Sequence, residues 1–181
     1  MLGSNQRATS AVYTVGHSNH PRAKFLALLT AQGVDVLVDT RSRPASRWAP
    51  YATPSRLPPL LDPAGITYLY LGDALGGRPA DPTCYDPATG RPDYAIMSRK
   101  PGFLAGIAQI LDMAGGARIC LLCSEEDPTQ CHRSLLIGAA LRRSGVAVRH
   151  IRGSGAVEEQ TESSKVSDAA MPRQLPLPLH L

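Results

Sequence analysis

A chain of 181 residues, 43% of them hydrophobic and with a formal charge of +4, fits one compact domain with a modest basic surplus. It is too apolar for a disordered acidic chain, and no apolar run reaches the roughly 18 residues of a membrane span. No apolar signal segment opens it, so a reducing cytoplasm is expected, with Cys84, Cys120, Cys123 and Cys131 as free thiols.

After a polar start, Ala11-Val12-Tyr13-Thr14-Val15 reads as a strand running into Gly16-His17-Ser18-Asn19. Phe25, Leu26, Leu28 and Leu29 mark a helix over residues 22–32, which Gly33 stops. Residues 34–38 read as a second strand, ending in Asp39-Thr40-Arg41. The proline- and arginine-rich loop after it carries Arg43, Arg47 and Trp48. A short helix over 56–64 precedes a third strand over 67–71, which leads to Asp73 and Leu75-Gly76-Gly77-Arg78. Residues 79–101 are long for a connection inside a domain, a length typical of lids or disordered insertions. A helix over 102–113, a strand over 117–123, a helix from Cys131 to about Ser144 and a fifth strand over 146–151 complete the pattern.

Strands this apolar, alternating with helices, predict an α/β domain over residues 11–153: a mostly parallel five-stranded sheet with helices on both faces. From Gly153 onward the apolar rhythm stops. Residues 154–170 read as a flexible linker and 154–181 as a disordered tail.

If the strands are parallel, one edge of the sheet collects His17, Asp39, Arg41, Asp73, Cys123 and Glu125. The turn from Leu121 to Arg133 is then the centre of the chain, since ligands bind where strand ends meet helix starts. Cys131, beside His132 and Arg133 at a helix start, reads as a low-pKa thiolate or as a small packing thiol. Asp127 and Pro128 suit the cap and first position of that helix. Cys123 reads as a nucleophile, a redox partner or core filler, and Cys120 as core.

His17 is the general acid/base candidate, against a histidine merely bonded into its turn. Asp39 would orient His17 or Arg41, or cap a turn. Arg41, Arg43, Arg47 and Trp48 combine anion-seeking guanidinium with a stacking surface, and Arg78 and Arg133 are further anion contacts. Seven residues between Cys123 and Cys131 is not the tight spacing of a zinc knuckle, so no metal is expected from Cys123, Cys131, His132 and His17. No motif names a cofactor.

Thr14-Val15-Gly16-His17-Ser18, Val38-Asp39-Thr40-Arg41-Ser42-Arg43-Pro44, Leu75-Gly76-Gly77-Arg78, and Leu122-Cys123-Ser124-Glu125 with Cys131-His132-Arg133 resemble the motif set of the domain-of-unknown-function 488 family. The likeness spans about Val12 to Arg152; Thr40 departs from the valine more common there. The resemblance implies a Rossmann-like fold and points to His17, Asp39, Arg41, Cys123, Glu125, Cys131, His132 and Arg133. It also carries the DNA-repair label given to some members.

Near the end, Gln174-Leu175-Pro176-Leu177-Pro178-Leu179 resembles the peptide by which bacterial proteins dock on the replication sliding clamp. Its prolines lower the cost of ordering an extended peptide. Gln174 offers an amide, and Leu175, Leu177 and Leu179 offer apolar anchors. The expected function is therefore action on nucleic acid or nucleotides in DNA maintenance, with recruitment by the clamp. The alternatives are a non-enzymatic DNA-binding or adaptor module, and thiol redox or sulfur transfer between Cys123 and Cys131.

Overall fold

The computed structural model describes residues 11–161. Among the described residues a sheet of six strands runs in the order β3-β2-β4-β1-β5-β6, where β1 is Val12–Gly16, β2 Val36–Asp39, β3 Thr67–Tyr70, β4 Ile119–Cys123, β5 Val148–Ile151 and β6 Val157–Glu159. The first five are parallel, as their apolar runs predict. The sixth is not anticipated by the sequence. It pairs antiparallel with β5 through Arg149↔Glu159, His150↔Glu158 and Ile151↔Val157.

That strand lies within the stretch expected to be a flexible linker. Its side chains are exposed, so no apolar period announces it. Backbone pairing and one anchor hold it instead. Buried Gln160 donates from Nε2 to the Ser134 carbonyl at 3.1 Å, against Gly138. The clamp-like peptide, with Gln174, Leu175, Leu177 and Leu179, lies outside the described residues.

Alternate strand residues feed two cores, which is why the strands carry so few polar positions. Tyr13, Val15, Leu37, Cys120 and Leu122 pack with Phe25, Leu28 and Leu29 of α1 (Arg22–Ala31) and with Leu57 and Leu61 of α2 (Leu57–Leu61). Val12, Val38, Ile119, Leu121 and Val148 face the other way. They meet Phe103, Ile107 and Ile110 on the long amphipathic helix Pro101–Ala114, and Leu136, Ile137 and Leu141 of the last helical segment. Each buried Leu, Ile or Phe contributes on the order of 1.5–3 kcal/mol by leaving water.

Residues 79–101 form an ordered excursion. It holds a 3-10 turn at Pro82–Cys84, a bridge between Tyr85 and Pro92, and the short helix Tyr94–Met97 capped by Asp93. Cys84 and Met97 from it are buried in the core.

The strand order places the site. From β1 the chain passes β4 to reach β2 by way of α1; from β4 it passes β1 to reach β5 by way of the last helical segment. These crossovers leave neighbouring strands in opposite directions on opposite faces, so a crevice opens beyond the C-terminal ends of β1 and β4.

Candidate functional site

At the end of β1 and β4 the backbones run on together. The His17 N–H donates to the Cys123 carbonyl at 3.0 Å and the Ser18 N–H to the Ser124 carbonyl at 2.9 Å. Gly16 permits this approach, since a Cβ there would lie 1.8 Å from the Glu125 carbonyl oxygen.

After β4 the chain turns through Asp127, whose Oδ1 accepts from the Thr129 N–H at 2.9 Å and caps a 3-10 turn over Pro128–Gln130. The cap is where the sequence places it, but the helix after it differs. Cys131 is extended (φ −116°, ψ 143°), and Arg133–Gly138 forms a π-helix before the α-helix Ala139–Arg143. Wide π turns are rare and frequent at functional sites.

The turn folds Cys131 back onto Cys123. Their sulfurs are 2.9 Å apart, and His132 Nδ1 lies 3.6 Å from Cys123 Sγ and 3.7 Å from Cys131 Sγ. Glu125 Oε2 accepts from Cys123 Sγ at 2.7 Å and from Cys131 Sγ at 3.4 Å. All three of Cys123, Cys131 and His132 are buried. His132 Nε2 lies 3.0 Å from the Thr40 carbonyl. A carbonyl only accepts, so the proton sits on Nε2 and the Nδ1 side of the ring faces the sulfurs. Gly77 packs on that imidazole, where a Cβ would come within 2.7 Å. Gly77 thus serves His132, while a Cβ at Gly76 would meet Ser42 and the Gly72 carbonyl.

The electrostatics separate the two thiols in the order opposite to the sequence reading. Cys123 is the more acidic one, lowered by the hydrogen bond from Cys131 and, against burial, by His132. Cys131 is pushed up by that same bond, by burial and by the Cys123 charge. Cys131 does sit at the helix start, its carbonyl accepting from the Ser134 and Leu135 N–H groups and its sulfur from the Arg133 N–H at 3.5 Å, but the Cys123 bond and burial outweigh that position. Burial works to lower His132, but its hydrogen bond to Cys123, the Cys123 charge and the Thr40 carbonyl together raise it. Burial works to raise Glu125, yet the bonds from both thiols leave it lowered.

His17 is buried, and its Nδ1 is 2.8 Å from the Ser18 carbonyl, so Nδ1 carries the proton. Nε2 has no hydrogen-bond partner among the described residues. Burial, then the Arg41 charge against the Ser18 bond, lowers its pKa. The ring is neutral at physiological pH with a free lone pair, the state of a general base.

Asp39 and Arg41 form a closed pair. Arg41 Nε and Nη2 donate to the two Asp39 oxygens at 2.8 and 2.6 Å, and Nη1 donates to the Ala52 carbonyl at 2.9 Å. Tyr68 Oη donates to Asp39 Oδ2 at 2.9 Å. With both residues buried, Asp39 orients Arg41 and not His17, and Arg41 holds the arginine loop. Arg133, expected to meet an anion, is wholly buried and donates to the Glu125 and Glu126 carbonyls. It shapes the turn. Asp73 accepts from Tyr70 Oη at 3.2 Å in an exposed position. Arg43 and Arg78 are exposed, and the Arg78 N–H donates to Ser42 Oγ at 2.9 Å.

A cleft of about 670 Å³ lies against this cluster, lined by His17, Ser18, Ser46, Arg47, Trp48 and Glu125 among others. Trp48 is 69% exposed, and the Arg47 guanidinium lies 4.9 Å from its ring centroid. The cleft thus joins an open aromatic face and a cation to an imidazole and a carboxylate. Tyr94 is a neighbour that the sequence reading missed. Burial, then the charges of Cys131, Cys123 and Glu125, raise it to about 12. It comes from the 79–101 excursion, where only the Asp93 cap hints at a positioned helix.

The family model described as "Domain of unknown function DUF488" matches residues 21–140. The chain belongs to this family. The DUF488 match takes in Asp39, Arg41, Cys123, Glu125, Cys131, His132 and Arg133, and begins after His17. Neither the curated proteins nor the solved structures contain a match. No helix among the described residues is long and apolar enough to cross a membrane.

Proposed function

We propose that this DUF488 protein is a cytoplasmic enzyme of nucleic-acid or nucleotide metabolism, working in DNA maintenance from the cleft beyond β1 and β4. One observation carries the reading: an exposed Trp48 with the Arg47 guanidinium over it, in the same cleft as His17 and Glu125. An indole stacks on any base and a guanidinium meets a phosphate, so the pair suits an anionic aromatic ligand. His17 accepts a proton through Nε2, Glu125 lines the same cleft, and Arg43 and Arg78 add positive charge outside. The peptide Gln174-Leu175-Pro176-Leu177-Pro178-Leu179 would recruit the enzyme to the replication sliding clamp.

Binding of a short single-stranded oligonucleotide, followed from low to moderate salt, tests the proposal. Wild type should bind, Trp48→Ala should lose about tenfold in affinity, and Arg47→Ala should flatten the salt dependence by about one phosphate contact. Absence of any binding at low salt would remove the nucleic-acid form of the enzyme reading and the non-enzymatic DNA-binding reading. Thiol exchange between Cys123 and Cys131 is a second reading, favoured by their 2.9 Å separation and the lowered Cys123. It predicts rapid reaction of Cys123 with a small disulfide, and inert thiols would dismiss it.

A further inference from the structure

We propose that Cys123 Sγ, Cys131 Sγ, His132 Nδ1 and the Glu125 carboxylate bind one divalent metal ion of the zinc class, beside the cleft. The inference does not rest on what the cleft holds.

The first support is convergence. The two sulfurs and the His132 ring nitrogen lie within 4.8 Å of one another on buried residues. Glu125 Oε2 reaches both sulfurs from within hydrogen-bond distance. Two thiolates, one imidazole and one carboxylate are a borderline-soft set that suits tetrahedral zinc. Each thiol releases its proton to solvent as its sulfur becomes a ligand.

The second support lies behind the ligands. Metal-bound histidines almost always donate their other ring N–H to a fixed oxygen. His132 does so to Thr40, and Thr40 is itself held, since its N–H and Oγ1 both donate to the Leu122 carbonyl at 3.1 and 2.9 Å. Gly77 leaves the ring in place. The seven-residue gap that argued against a metal is closed by the Asp127-capped turn.

A disulfide between Cys123 and Cys131 is the competing outcome. At 2.9 Å the sulfurs are closer than ordinary contact and well beyond the roughly 2.05 Å of a bond. A disulfide would consume two of the four ligands, so the two outcomes exclude each other.

The full-length protein, purified under reducing conditions without chelator, should contain close to one zinc per chain by elemental mass spectrometry. After chelation it should take up Co2+ with a sulfur-to-cobalt charge-transfer band and the visible bands of a tetrahedral ion. In competition with a chromophoric chelator, Cys131→Ser, His132→Ala and Glu125→Gln should each weaken zinc binding by at least about tenfold. Cys84→Ser should not. Wild-type content and cobalt spectrum decide the matter even if a ligand variant fails to fold. Reduced wild type that neither holds nor takes up Zn2+ would overturn the proposal, as would a Cys123–Cys131 disulfide in the native protein. Metal binding that survives all three ligand substitutions would do the same.

Discussion

Buried polar side chains do most of the positioning around the crevice, and each has a defined partner whose loss has a sign. Asp39 accepts three side-chain hydrogen bonds, two from Arg41 and one from Tyr68, with no exposed surface of its own. Replacing it with alanine strands a buried guanidinium, and such a broken pair typically costs about 3–5 kcal/mol. Asp39→Ala should show that loss in denaturant unfolding; a change near zero would mean that Arg41 finds water instead. His150 gives a pH dependence. It lies 2.7 Å from Thr14 Oγ1, and burial, then the charges of Arg133 and Arg152, lower it to about 4. The folded protein therefore keeps it neutral while the unfolded chain protonates near 6.5. Its contribution is complete above pH 6.5 and is lost as pH falls from there to about 4, by about 3 kcal/mol in all. Unfolding free energies measured over that range should fall less steeply for His150→Gln than for wild type, and parallel curves would reject the assignment.

Elements differ in how openly the sequence announces them. The apolar runs at 12–15, 36–38 and 119–122 declare buried parallel strands, and Phe25 with Leu28 and Leu29 declares the helix between the first two. β6 was hidden because Val157, Glu158 and Glu159 bury nothing; its register depends on backbone bonds to β5 and on Gln160. Ending the chain at residue 153 should expose the β5 edge, lower the melting temperature and promote aggregation. A truncated chain as stable as wild type and no more prone to aggregate would show that β6 is dispensable. The π-helix was hidden for a related reason, since an apolar face over Leu135 to Leu141 suits α and π turns alike.

Across the whole molecule, direction of strands was the legible part and distance was not. Parallel order was enough to place His17, Asp39, Cys123 and Glu125 on one edge. It could not show that Asp39 and Arg41 close on each other, that Arg133 turns inward, or that Cys131 folds back to Cys123. Those depend on the capped turn after β4 and on glycines at 16 and 77 that let segments touch. The opposed crossovers from β1 and β4 then set the crevice, with His17 and Glu125 in its wall and Arg47 and Trp48 at its lip. Trp48 is the only tryptophan of the chain and belongs to that lip, so its fluorescence reports on the crevice alone. Titrating nucleotides and short single strands into the full-length protein should quench that emission saturably, with the quench weakened by Arg47→Ala. Emission that stays unchanged while a ligand binds would place the working site elsewhere and contradict the account.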